Sequence, residues 1–100
     1  MKYALEIRQE ALLELTQSII WYEEQLDGLG LRFRETIHFK LEQICQNPFH
    51  CQKTYKNFRE TLIDGFPFLV IYYIDEKTDK VIVISIFHTS RNPKKKYKKL

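Results

Sequence analysis

Two helical stripes separated by "DGLG" constrain this chain more than anything else in it. From Gln9 onward, Ala11, Leu12, Leu15, Ile19, Tyr22 and Leu26 recur at three- and four-residue spacing, which is one apolar face of a helix. Glu10 and Glu14 lie near its start, where negative charge suits the helix dipole. Gly28 and Gly30 then permit a backbone reversal that other residues resist. A second stripe runs through Phe33, Ile37, Leu41 and Ile44 and stops at "NP", because Pro48 cannot continue a helix. So short a connection predicts an antiparallel helical hairpin.

On either side of the hairpin the apolar period falls to two. "KYALEIR" alternates, with Tyr3, Leu5 and Ile7 on one face and Lys2, Ala4 and Glu6 on the other. After the hairpin, "TYKNFRETLI" reads as a mixed strand in which Phe58, Glu60 and Leu62 oppose Arg59, Thr61 and Ile63. "FLVIYYID" is apolar on both faces, as a central strand covered on both sides would be. "DEKTDK" is a polar turn, and "VIVISIF" is a further β-branched strand. Short connections make these an antiparallel meander. The expected fold is α+β, in the order β-α-α-β-β-β, with an antiparallel sheet and the hairpin packed on one face.

At 100 residues and 44% hydrophobic content, the chain has the material for one compact core, expected over residues 1–90. No stretch approaches the roughly 20 apolar residues of a membrane span. The N-terminus has no apolar signal segment, so a cytoplasmic protein with reduced Cys45 and Cys51 is expected, without a membrane partner. The net charge of +3 conceals an asymmetry. Residues 91–100 carry Arg91, Lys94, Lys95, Lys96, Lys98 and Lys99 and no acid, leaving −3 on the first ninety residues. This basic C-terminal tail is either a solubilising segment or a contact for phosphate or an acidic protein.

No metal and no cofactor are expected. Cys45, His50 and Cys51, even with His38, match no common zinc spacing, and no glycine-rich loop follows a strand to cradle phosphate. Metal-free RNA cleavage needs a base, an acid and a cation for the phosphate. Arg59 and Arg91 could supply the guanidinium forks and His88 the acid or base. Tyr97 could stack on an unpaired base, while Lys53 and Lys56 add field strength. Each has a plainer reading. His88 could be a hydrogen-bonded packing residue, Arg59 could pair with an acid, Arg91 could cap a turn, and Tyr97 could sit in a mobile tail.

The segments "WYEEQLDGLGLRF", "NPF", "FRETLIDGFPFLVIYYID" and "IFHTSRNP", in this order, resemble the RelE/ParE family of bacterial toxins from type II toxin–antitoxin pairs. The resemblance spans nearly the whole chain. It implies the same β-α-α-β-β-β fold, a cognate antitoxin and a toxin–antitoxin hetero-oligomer. RelE-like members of the family cut mRNA on the ribosome, and ParE-like members poison DNA gyrase. RelE-like nucleases typically carry an arginine in a "GYRLVY"-like context at the third strand. Here "GFPFLVIYY" puts Pro67 or Phe68 at that place, and losing such a cation weakens transition-state stabilisation by about a few kcal/mol. The resemblance therefore points to the ParE side, a growth-inhibiting toxin acting by binding. The alternatives are a ribosome-dependent endoribonuclease using Arg59, His88 and Arg91, and a relative that only binds its antitoxin. An antitoxin segment would lie in a groove between hairpin and sheet. Trp21, Tyr22 and Phe39 are the aromatic candidates to line it, with Lys94, Lys95, Lys96 and Tyr97 contributing from the tail.

Overall fold

The computed structural model of the chain describes residues 3–97. Lys2, placed above on a strand face, and Lys98 and Lys99 of the basic tail lie outside the described residues. The elements are β1 (Ala4–Ile7), α1 (Gln9–Gln25), α2 (Leu29–Gln46), β2 (Lys53–Tyr55), β3 (Phe58–Leu62), β4 (Phe68–Asp75) and β5 (Lys80–His88), followed by a 3-10 turn at Pro93–Lys95. The α+β class and the helical hairpin packed on one sheet face are as expected.

Both glycines of "DGLG" have a definite task. Gly28 takes a left-handed backbone at φ 86°, where any other residue would be strained. At Gly30 an added Cβ would sit 2.5 Å from the Ile19 carbonyl oxygen, so the two helices approach to a distance that only hydrogen allows. Glu23 of α1 closes the turn. Its carboxylate accepts from the N–H groups of Gly28 at 2.8 Å and Gly30 at 3.0 Å, serving amides that the start of α2 leaves without helical partners.

The sheet has five strands in the order β1-β5-β4-β3-β2, and β4 is its middle strand. Two details differ from the sequence reading. The expected all-antiparallel sheet is mixed, because β1 pairs parallel with β5 from Ala4 opposite Lys80 to Ile7 opposite Val83. β1 and β5 are separated in the chain by both helices and three strands, so no tight hairpin forces them to run antiparallel. "TYKNFRETLI", read as one strand, is a hairpin of β2 and β3, reversed where Lys56 adopts φ 51°.

Between the hairpin and the sheet lies the main core, with Phe33, Ile37, Leu41 and Ile44 of α2 against Val70, Tyr72, Val81, Val83 and Ile86. The opposite face carries a smaller buried group of Phe58, Ile71 and Phe87. β4 thus supplies apolar side chains to both faces, as its sequence predicts. On β5 the alternation slips by one residue. Ile71 pairs with Ser85 but Tyr72 pairs with Val83, so Ile84 is an extra residue in the strand. Such a bulge re-aims everything beyond it, which is how Ile86 follows Val81 and Val83 onto the hairpin side.

Candidate functional site: the rim where β5 ends

β1 covers β5 only as far as Val83, so the edge from Ile84 onward has no neighbouring strand. Glu14 of α1 fills that place. Its Oε1 accepts from the Ser85 hydroxyl at 2.8 Å and from the Ile86 N–H at 3.0 Å. Its Oε2 holds Arg91 Nη1 at 2.6 Å. The Arg91 guanidinium also lies 4.4 Å from the Phe87 ring centre, a cation–π contact. Arg91 is therefore ion-paired to a carboxylate that is itself only 16% exposed, and not a free fork awaiting phosphate.

His88 ends β5 opposite Phe68, with the rings edge-on at 4.8 Å. Its Nδ1 accepts from the Ser90 N–H at 3.0 Å and contacts the Ser90 hydroxyl at 2.7 Å. Those contacts make it the hydrogen-bonded residue of the 88–91 turn, which the Arg91 N–H closes on the His88 carbonyl at 3.1 Å. The imidazole still borders a groove of about 380 Å³ between α1 and the ends of β4 and β5. Trp21, Tyr22, Phe68 and Ile86 supply its apolar walls, and Glu14 and Arg91 its polar end.

Arg59 lies elsewhere. It pairs across the sheet with Tyr72, whereas His88 pairs with Phe68, four residues along β4, or about 13 Å at the strand rise. Its Nη1 donates to the carbonyls of Phe49, at 3.4 Å, and of Cys51. Tyr72 donates to the Pro48 carbonyl at 2.7 Å, so the two side chains together tie down the loop from α2 to β2. Burial pushes the Tyr72 hydroxyl well above its ordinary value, consistent with a donor that stays protonated. Arg59, His88 and Arg91 do not converge on one point.

The remaining candidates also separate. Trp21 lines the groove and is 55% exposed. Tyr22 packs into the core, 5.0 Å from Phe33 and 5.2 Å from Phe66. Phe39 is exposed on α2 but is not among the residues lining that groove. Lys53 faces Arg59 across the β2–β3 hairpin, and Lys56 Nζ stands 5.3 Å above the Tyr55 ring. Lys94 and Lys95 are exposed in the 3-10 turn. Lys96 and Tyr97 turn inward to Glu60, whose carboxylate accepts from Lys96 Nζ at 3.0 Å and from the Tyr97 hydroxyl. Burial pushes the Glu60 carboxyl up, but the bonds from Tyr97 and Lys96 and the Lys96 charge outweigh it and hold it below its ordinary value. Burial and the Glu60 carboxylate push Tyr97 up to about 12.

Sequence reasoning missed the roles of Glu14 and Glu60. No local pattern marks them: Glu14 lies 77 positions from Arg91, and Glu60 lies 36 and 37 positions from Lys96 and Tyr97. Phe68, in the region where RelE-like nucleases place an arginine, packs 4.9 Å from Phe33 in the main core. Among the described residues, no three His, Cys, Asp or Glu side chains gather as metal ligands, and no helix is long and apolar enough to cross a membrane.

Residues 5–93 match the model of the ParE toxin of the type II toxin–antitoxin system parDE. No curated protein matches the sequence. The fold is similar to a chain of the chromosomal ParDE toxin–antitoxin system from P. aeruginosa, with a TM-score of 0.74 at 14% identity, covering 89% of this chain and 98% of that one. It is also similar to a chain of the intact E. coli RelBE complex, with a TM-score of 0.65 at 18% identity over 89% and 99%. A chain of the RelBE2 complex from Mycobacterium tuberculosis gives 0.59 at 13% identity over 88% and 99%. These likenesses are of fold; the match to the family model, over nearly the whole chain, goes further, and the protein belongs to the ParE toxin family of type II toxin–antitoxin systems.

Proposed function

We propose that this toxin acts by inhibitory binding to an essential target, DNA gyrase, and is neutralised by a cognate antitoxin. The observation that carries the binding reading over the nuclease reading is the commitment of the three candidate catalytic side chains to internal partners. Arg91 is paired with Glu14, His88 with Ser90, and Arg59 with the Phe49–Cys51 loop, about 13 Å along the sheet from His88. His88 and Arg91 border the same groove, but a phosphoryl-cleaving site needs its cation and its acid or base free to engage one phosphate. The family match supports the ParE side. The ParDE and RelBE structures of the same fold, both toxin–antitoxin assemblies, support an antitoxin partner. The groove beside Trp21 is the apolar seat for an antitoxin segment, with the Glu14–Arg91 pair at its end to set register.

Induced expression in a bacterial host is the test. The expected outcome is arrested replication with gyrase-linked DNA breaks and intact transcripts, relieved by co-expressing a cognate antitoxin. Transcripts cleaved on stalled ribosomes, with Arg91→Ala restoring translation, would overturn the binding reading in favour of the nuclease. Unimpeded growth at full expression would leave only antitoxin binding.

A further inference from the structure

Among the described residues no α-helix packs on the face of the sheet opposite the hairpin, yet Phe58, Ile71 and Phe87 on that face are 8%, 0% and 1% exposed. The segment from Arg91 to Tyr97 helps to cover them. The Tyr97 ring lies 5.2 Å from Phe58 and stacks on Tyr55 at 4.6 Å. The Arg91 guanidinium and the Lys96 ammonium stand 4.4 Å and 6.0 Å from the Phe87 ring centre. Ion pairs hold the two ends: Glu14 to Arg91, and Glu60 to Lys96, reinforced by the Tyr97 hydroxyl, which also meets Thr54 Oγ1 at 3.0 Å.

The attachment has an unusual character. Among the described residues, the backbone hydrogen bonds donated by the segment stay within it or reach only the His88 carbonyl just before it: Arg91 to His88, Lys95 to Asn92, and Lys96 to Pro93. Asn92 Oδ1 accepts from the Lys94 N–H at 3.0 Å, again locally. Apart from the turn bond of Arg91 to His88 at the end of β5, no backbone hydrogen bond among the described residues joins the segment to the sheet. From Asn92 onward side chains alone hold it down, so it can lift without breaking any strand pairing, which is the physical signature of a low-stability local unit.

The cations are also committed while the segment is seated. A crevice at the β5 edge is bordered by Arg8, Arg91, Lys95 and Lys96, but three of these four already face a carboxylate: Glu6 at 3.8 Å, Glu14 and Glu60.

We propose that residues 91–97 form a releasable latch over the open sheet face, clasped by Glu60. Lifting it uncovers the apolar floor of Phe58, Ile71 and Phe87 and frees the charges of Arg91 and Lys96 together. A partner that uses this face must first open the latch. The device stands independently of which cellular target the toxin has.

Trypsin reads the latch directly, because the segment carries its own cleavage sites and proteolysis tracks the opened population when reclosing is fast. Glu60→Gln keeps the shape of the clasp and removes its charge. Cleavage between Arg91 and Lys96 should then accelerate about tenfold, the loss expected when a charge-assisted bond to an ion is weakened. Tyr97→Phe, which keeps the ring and removes the hydroxyl, should accelerate it about threefold on the same reasoning. Glu42→Gln, which alters an exposed pair with His38 on α2, should leave it unchanged. Denaturant midpoints measured alongside separate latch opening from global unfolding. Cleavage rates in both Glu60→Gln and Tyr97→Phe equal to that of the unaltered chain would overturn the proposal. So would rates that rise only in step with loss of global stability. Should Glu60→Gln fail to fold, Tyr97→Phe decides alone.

Discussion

The two faces of the sheet are closed in different ways. On one face a helical hairpin contributes Phe33, Ile37, Leu41 and Ile44 to a continuous apolar core, with the helices drawn together at Gly30. On the other, a seven-residue segment lies over three buried side chains and is held by two carboxylates. Apolar burial is non-directional and adds up over a large area, so the hairpin face opens only when the whole domain does. A polar clasp depends on a few groups and on their ionisation, so the other face can open by itself. The contrast assigns stability to one side of the molecule and adjustability to the other.

The largest expected effect comes from breaking the hairpin face. Phe33→Ala removes a fully buried ring that touches Tyr22, Phe66 and Phe68, and should lower stability by about 3–5 kcal/mol in urea melts. Tyr97→Ala, its counterpart on the latch face, should shift the same melts by about 1 kcal/mol or less while exposing the segment to protease. Equal losses for the two substitutions would show that the faces form one cooperative unit.

Acid sharpens the comparison at a smaller scale. The Glu60 carboxyl is held below its ordinary value of 4.5. Its contribution to the seated latch is therefore fully present above that value and is lost as pH falls through the lowered one. Tyr97, raised from 10.0 to about 12, contributes fully below its ordinary value and stops contributing as pH rises through the raised one. Protease susceptibility of residues 91–96, followed by mass spectrometry, should be flat across neutral pH and climb at both extremes. A rise beginning near pH 7 would show that another group holds the segment.

The smallest effect concerns the β2–β3 hairpin that both faces share. Lys56 sits at φ 51°, a conformation that costs a non-glycine residue about 1 kcal/mol. Lys56→Gly should recover part of that strain, as a slightly higher melting temperature, and leave latch proteolysis unchanged.

Much of this architecture is readable from residue order. Periods of two and 3.6 mark β1 and both helices, apolar and β-branched runs mark β4 and β5, and "DGLG" and "NP" bound the hairpin, because those signals act through backbone sterics and side-chain direction within a few residues. The division of "TYKNFRETLI" into two strands was less legible, since Lys56 is not a residue type that announces a left-handed turn. The bulge at Ile84 was not legible either, because only pairing with β4 reveals the extra residue. In the candidate site, the sequence identifies Arg91, His88 and Tyr97 as residues at a strand end and beyond it. It does not identify Glu14 or Glu60 as their partners, because nothing local links positions so far apart.

By itself, then, the order of amino acids determined both helices and the strands β1, β4 and β5, which of their faces are apolar, and the kinship carried by their arrangement. Only the tertiary structure decided what happens to the positive charge. A formal count places six basic groups beyond the last strand, but a charge is free or occupied according to what the fold brings within a few ångströms of it. Here α1 brings Glu14 to Arg91 and β3 brings Glu60 to Lys96, converting part of an apparent tail into a fastening.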